Sequence, residues 1–239
     1  MTGMSHLVIG DGHFRGGEDE MHRWSRLLDR AHADGMEELS ILGDLFELWL
    51  ALDDVMPRWQ HAILEPLHRL RGQGVRLRYA VGNKDYFVEA WNETAKLFHS
   101  VIVDPMSLNS PHGPLYLSHG DLVNDEDTQY RAWHSFSRSL PARIVARALP
   151  ASWLRGVGDR LAKQLEGTNR THKMYFPERA LEARAKELPP GPATQIYGHF
   201  HVYRELHFGE KRVITLPFLS TENAGVWIDQ KGIRRYPDA

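Results

Sequence analysis

Five short segments of this chain combine metal-ligand side chains, and four of them directly follow an apolar, strand-like run. The five are Asp11-Gly12-His13, Gly43-Asp44, Gly82-Asn83-Lys84-Asp85, His119-Gly120-Asp121 and Gly198-His199-Phe200-His201. Ahead of the first four stand Leu7 to Ile9, Leu39 to Leu42, Leu77 to Val81 and Leu115 to Ser118; the fifth follows the shorter Gln195 to Tyr197. In an open α/β sheet, chemistry collects at the carboxyl ends of the strands, so strands distant in sequence converge their last residues on one point. That point would carry four imidazoles, at least two carboxylates and one amide, enough donors to hold two metal ions close together. Any one of these histidines taken singly is more readily a loop cap or a core residue. Five independent coincidences are a poorer account than one site.

The order of elements supports the convergence. Glu18 to Ala33 reads as an amphipathic helix, with Met21, Trp24, Leu27, Leu28 and Ala31 at helical spacing. Trp59 to Arg71 reads as a second, ending before Gly72 and Gly74. Strands alternating with helices imply an α/β fold with a mainly parallel sheet. After His201 the texture changes. Val202 to Phe208, Arg212 to Leu216 and Gly225 to Asp229 read as short strands, with Gly209-Glu210 as a turn, and suggest antiparallel hairpins closing a second sheet.

Composition removes several classes. The 239 residues suffice for one sizeable domain with an insertion, or two small ones. A formal charge of -2 excludes a globally basic nucleic-acid binder. The absence of cysteine excludes a disulfide framework and any thiolate metal site. The first residues carry no basic-then-apolar leader pattern, and no apolar run approaches the roughly 20 residues that span a bilayer. A cytoplasmic protein is the expectation.

Between the fourth and fifth segments, Thr128 to Leu188 has a helical pattern broken at Pro141, Pro150 and Gly156, and Pro189-Pro190-Gly191-Pro192 ends it. The chain therefore divides into a core, 1–125 with 190–239, and a helical cap insertion, 126–189. From Arg131 to Lys173 nine basic residues face Asp159 and Glu166, a local charge of +7. Leu149, Trp153, Leu154 and Val157 are among the apolar residues of the same stretch. A solvated surface helix pair is the plain reading. The sharper one is a cap over the metal site, basic towards phosphate and apolar towards lipid, which could also lie on an anionic membrane surface.

The ordered segments resemble the calcineurin-like metallophosphoesterases, whose pattern reads D-x-H, G-D, G-N-x-D/E, H-G and G-H-x-H. The resemblance implies an α/β/β/α sandwich of two sheets flanked by helices. It implies two divalent metal ions, one on Asp11, His13, Asp44 and His201 and the other on Asp44, Asn83, His119 and His199. Asp44 would bridge them, and Asp44, Asn83 and His199 would carry the chemistry. The donor set mixes imidazole and oxygen without sulfur, which suits Mn²⁺, Fe²⁺ or Zn²⁺. Mn²⁺ is the first expectation. Two metals roughly 3.5–4 Å apart polarise a phosphoryl oxygen, acidify a bridging water and stabilise the displaced oxygen, so no protein nucleophile is needed. Lys84 stands where many members have histidine. With a reference pKa of about 10.4 it is a poor proton donor but a good phosphate clamp.

In more detail the chain resembles the UDP-2,3-diacylglucosamine pyrophosphohydrolase family of lipid A synthesis. Ile41-Leu42-Gly43-Asp44-Leu45-Phe46-Glu47-Leu48-Trp49, with Asp53-Asp54 after it, resembles that family's I-L-G-D-L-F-E-x-W. Gly82-Asn83-Lys84-Asp85 resembles G-N-R-D, and His119-Gly120-Asp121 with Asp127 and Tyr130 resembles H-G-D…D-x-x-Y-Q. The departures are Gly12 for the usual Leu, Phe200 for the usual Thr, and Leu216-Pro217-Phe218-Leu219 where that family has L-G-D-W. The resemblance implies a UDP-linked diacylated sugar as substrate. It would be contacted by Asn83, Lys84, Asp127, Tyr130, Asn169, Arg170, Lys173 and His199, with the basic cap at the inner-membrane surface and no nucleic acid as partner. Another dinuclear phosphoesterase acting on nucleotides or phosphodiesters, and a non-catalytic scaffold of the same fold, are the alternatives.

Overall fold

The computed structural model describes residues 5–103, 105–123, 153–154, 156 and 176–237. Two sheets pack face to face, with helices on both outer faces. The first sheet has strand order β13-β12-β1-β2-β4-β6. Its centre is parallel: β1 (His6–Ile9), β2 (Glu38–Leu42), β4 (Arg76–Ala80) and β6 (Ser100–Ile102) run together. The second sheet has order β10-β11-β9-β8-β7, with β8 (Gly113–Ser118), β9 (Ala193–Tyr197) and β11 (Lys211–Thr215) parallel to one another. Antiparallel β7 (Met106–Ser110) and β10 (Arg204–Phe208) form its edges.

Strand alternation divides the core. On β1, Leu7 and Ile9 point to one face and join Trp24, Leu27 and Leu28 of α1 (Glu18–Ala33), Ile63, Leu64 and Leu67 of α2 (Arg58–Gly72) and Val88 and Trp91 of α3 (Val88–Ala95). Val8, between them, points the other way and joins Leu117, Ile196 and Ile214 between the sheets. Leu181 and Ala185 of α4 (Glu178–Glu187) cover the outer face of the second sheet with Tyr197 and Val213. The first helix has the bounds its periodicity indicates. Glu20 receives the Gly17 and Arg15 amides at its start, and Arg30 and His32 fall in its last turn, where basic residues suit the helix dipole.

One expectation is corrected. The last hairpin, β12 (Gly225–Asp229) with β13 (Gly232–Tyr236), extends the first sheet, not the second, and β12 runs antiparallel to β1. The reason is burial on both faces: Val226 and Ile228 enter the space between the sheets while Trp227 enters the helix side. Gly225 permits the close pairing, because a Cβ there would stand 2.4 Å from the Val8 carbonyl. A two-stranded ribbon, β3 (Trp49–Leu50) with β5 (Asp85–Tyr86), lies beyond the strand ends. Leu50 and Leu52 there, with Phe87, pack beside buried Val55 and Leu154. Of the residues expected to touch substrate, Asp127, Tyr130, Asn169, Arg170 and Lys173 lie outside the described residues, as does most of the insertion.

Candidate metal centre

Every ligand-bearing segment begins where a strand stops. Strands β1, β2, β4, β8 and β9 end at Ile9, Leu42, Ala80, Ser118 and Tyr197. Convergence does not come from extended backbone with alternate residues on one side. Asp11, His13, Asp44, His199 and His201 all have left-handed backbone, with φ of 55°, 42°, 51°, 66° and 54°. For residues other than glycine this costs about 1–2 kcal/mol each, and such strain clusters at functional sites. Neighbouring loops hold it in place: the amides of Asp11, His13 and Phe14 donate to the carbonyls of Gly43, Asp44 and Leu45. Gly43 (φ 75°) lets two loops touch, since a Cβ there would stand 2.6 Å from Gly82 Cα. A Cβ on Gly82 would stand 2.4 Å from Asp44 Oδ1.

All seven expected ligands are brought together. His13 Nε2 lies 3.1 Å from His201 Nε2, 3.7 Å from Asp11 Oδ1 and 3.7 Å from Asp44 Oδ2. His201 Nε2 stands 3.2 Å from Asp11 Oδ1. Across the site, His119 Nε2 is 3.6 Å from Asp44 Oδ2 and 2.9 Å from Asn83 Oδ1. The His119 and His199 rings meet edge to face at 5.2 Å, and the His199 amide donates to Asp11 Oδ2. Two donor groups result, Asp11 with His13 and His201, and Asp11 with Asp44 and His119, each with its atoms within 4.8 Å of one another. Asp44 Oδ2 is near a histidine of each group, which is the position a bridging carboxylate needs.

The donor set fits divalent cations. Asp11 is fully buried, and its Oδ1 takes no hydrogen bond; a buried carboxylate oxygen in that condition is costly unless a cation faces it. Two imidazole nitrogens pointing at one another from 3.1 Å are better placed to share an ion than to bond to each other. The charge balance points the same way. Burial opposes ionisation of Asp11, but His13 and His201 hold its carboxyl far below the usual range. Burial opposes protonation of His13, yet Asp11, Glu47 and Asp44 carry it up to about 10. His119 is likewise lifted to about 9 against its burial, chiefly by Asp44 and Asp121. His199 goes down to about 4, through burial and the charge of His119.

Three supporting residues were not assigned roles from the sequence. Asp85 Oδ2 accepts from the amides of Gly82 (2.7 Å) and Asp44 (2.9 Å) and from the Tyr79 hydroxyl (2.8 Å), fixing two ligand loops at once. Glu47, in the motif after Asp44, reaches His13 Nδ1 at 3.6 Å and is itself paired with Arg15. Phe218 lies flat on His201, with ring centroids 4.7 Å apart and planes 14° apart. Their places within the Gly43-to-Trp49 and Gly82-to-Asp85 segments gave a signal for the first two; Phe218 gave none. Lys84 donates its amide to Asp44 Oδ1 at 2.7 Å, and its side chain is buried.

Comparison with known proteins adds to this geometry. No family model matches the chain. The UDP-2,3-diacylglucosamine hydrolase of Stutzerimonas stutzeri is 29% identical over 201 residues, covering 82% of this chain and 81% of that protein. That of Pseudomonas fluorescens is 25% identical over 238 residues, covering 95% and 92%. Among solved structures, vacuolar protein sorting 29 from Cryptosporidium parvum covers 99% of this chain and 91% of its own, with a TM-score of 0.54 at 12% identity. That likeness is one of fold. The chain has the calcineurin-like metallophosphoesterase fold expected of its motifs, and in sequence it is similar to UDP-2,3-diacylglucosamine hydrolases over most of its length.

Proposed function

We propose that this protein hydrolyses the pyrophosphate bond of UDP-2,3-diacylglucosamine, yielding UMP and 2,3-diacylglucosamine 1-phosphate for lipid A synthesis. The observation that carries the reading is a seven-residue donor set converging at strand ends, in a chain whose relatives bear that enzyme's name. Asp11, His13, Asp44 and His201 would hold one cation; Asp44, Asn83, His119 and His199 would hold the other. Mn²⁺, Fe²⁺ and Zn²⁺ all suit this nitrogen and oxygen set, and Mn²⁺ is the proposed occupant. Bound there, the pair supplies positive charge to a phosphoryl oxygen and makes water acidic enough to attack at neutral pH.

The chain's own groups provide position and charge. Asp44 is pinned twice, through its amide to Asp85 and through Oδ1 to the Lys84 amide, so Oδ2 keeps its direction. His119 is oriented by its Nδ1 contact of 2.8 Å with the Leu42 carbonyl, which leaves Nε2 facing the site. His199 packs edge to face on His119 at 5.2 Å, which sets its angle beside that ligand. Lys84 contributes a fixed cation for the pyrophosphate. A sugar 1-phosphate leaves without needing a proton from a histidine at that position. The 126–189 cap would cover the acyl chains, and Asp127, Tyr130, Asn169, Arg170 and Lys173 the sugar and phosphates. Its basic, apolar face suits peripheral attachment to the cytoplasmic side of an inner membrane. Among the described residues no helix is long and apolar enough to cross one.

Hydrolysis in ¹⁸O-water distinguishes the bond attacked. The expected label is in UMP, from attack at the α-phosphorus. Label in the sugar phosphate would overturn the assignment. No turnover in protein loaded with two metals would favour a non-catalytic scaffold.

A further inference from the structure

We infer that Phe218 is a positioning residue for the cation subsite of Asp11, His13 and His201, and that the Phe218–Ser220 segment is the strap that keeps this subsite in shape. The inference rests on the metal-centre reading above and adds a residue to it.

The starting point is an asymmetry between histidines. A ligating histidine ordinarily has its second ring nitrogen tied to a carbonyl or carboxylate, which fixes the ring's direction. His119 follows this rule through Leu42, and His13 approaches it through Glu47. His201 does not: its Nδ1 is buried and has no hydrogen-bond partner.

What fixes the ring instead is a flat surface. Phe218 stacks on His201 at 4.7 Å with planes 14° apart, and the same ring meets His13 at 5.6 Å. His13 and His201 meet each other edge to face at 4.9 Å. Phe218 therefore restricts rotation of His201 and sets its angle to His13, the two rings whose Nε2 atoms stand 3.1 Å apart.

The backbone after Phe218 holds the other half of the subsite. The Leu219 amide donates to the Asp11 carbonyl at 3.2 Å, and the Ser220 hydroxyl donates to the Gly12 carbonyl. Both acceptors belong to the left-handed Asp11-Gly12-His13 turn. Ser220 is tied back to α1 by Arg23, which donates to its carbonyl. Phe218 is also the N-cap of the short helix α5 (Leu219–Glu222), and its carbonyl accepts from Thr221 and Glu222. One short segment thus fixes the turn bearing Asp11 and His13 and the ring of His201. Among the seven proposed ligands the Phe218 ring meets His13 and His201, both of one subsite, so loss of its flat face should fall on that subsite.

The test is metal affinity, not turnover. Mn²⁺ is titrated into chelator-treated wild type, Phe218→Leu and Phe218→Tyr, and the two stepwise dissociation constants are read by competition with a chromophoric chelator. The urea midpoint of each metal-free protein is measured alongside. Leucine keeps apolar bulk but has no flat face; tyrosine keeps the face. The expected result is a loss of about 3- to 10-fold in one constant for Phe218→Leu, the size a ring-on-ring contact supports, with the other constant unchanged and Phe218→Tyr close to wild type. Unchanged constants in Phe218→Leu overturn the proposal. So does an equal fall in both, or a Phe218→Tyr protein as weak as Phe218→Leu. Wild type that takes up no divalent metal would instead remove the metal-centre reading itself.

Discussion

Asp85→Ala should destabilise the metal-free fold by about 3–5 kcal/mol, from three hydrogen bonds lost at one oxygen. The carboxylate is fully buried. Its Oδ2 accepts from Gly82, Asp44 and Tyr79, all at 2.7–2.9 Å. Alanine leaves three buried donors without an acceptor, at about 1–3 kcal/mol each. Relaxation and entry of water into the vacated space hold the total to the lower half of that range. Asp85→Asn keeps an acceptor of the same shape and loses only the charge. It should cost about 1–2 kcal/mol, the difference between charge-assisted and neutral bonds less the repulsion removed from Asp44. That repulsion is real, since burial and then the Asp44 charge push Asp85 up to about 6. Urea unfolding at pH 7.5 in chelator measures both variants, and metal uptake is measured beside it. Both should bind metal more weakly than their stability loss explains, because Asp85 holds the backbones of Asp44 and Gly82 together. A cost below about 1 kcal/mol for alanine, or asparagine as costly as alanine, would refute the reasoning.

Three further outcomes are expected. His6, bonded to Ser40 at 2.9 Å, is pushed down to about 4 by burial, with Arg78 and Arg76 helping and Glu38 opposing; its stabilising neutrality is complete above pH 6.5 and is lost as pH falls towards 4, up to roughly 3 kcal/mol. His6→Gln should flatten the stability–pH curve in that window, and an unaltered slope would contradict this. Asp44→Ala should abolish uptake of both metals while His13→Ala weakens one; an Asp44→Ala protein that retains two metals per chain would end the bridging assignment. Lys84→Ala should lose turnover with metal content intact and Lys84→Arg should recover part of it, whereas unchanged kinetics in the alanine variant would remove the phosphate-clamp role.

The strand-end loops were legible because their signal is local: an apolar run, then glycine or a ligand residue, as at Leu42-Gly43-Asp44 and Tyr197-Gly198-His199. The bounds of α1 were legible for the same reason. What the chain does within those loops was not. Left-handed backbone at Asp11 and His13 is held by neighbouring loops, not set by the residues themselves. The placement of β12 beside β1 depends on burial of both its faces, which a five-residue apolar run does not specify. Phe218 in Leu216-Pro217-Phe218-Leu219 reads as a departure from a family pattern, and its contact with His201 exists only once β11 and β9 have paired. The ribbon of β3 and β5 has two residues per strand, too few for a periodicity to register.

Hydrolysis of a lipid-linked pyrophosphate is tested most directly by kcat/KM on two sugars. Mn²⁺-loaded protein is assayed on UDP-2,3-diacylglucosamine and on unacylated UDP-glucosamine, as wild type and as Trp153→Gln. Trp153 is 69% exposed, next to Leu154 packed on Val55, so polar substitution there should leave the core intact. Burying four CH₂ groups of the acyl chains at about 0.8 kcal/mol each would favour the acylated substrate roughly 200-fold. A preference of that order is expected in wild type, eroded in Trp153→Gln, with UMP as product. Equal rates on the two sugars would contradict it and leave a metallophosphoesterase whose substrate is not this lipid.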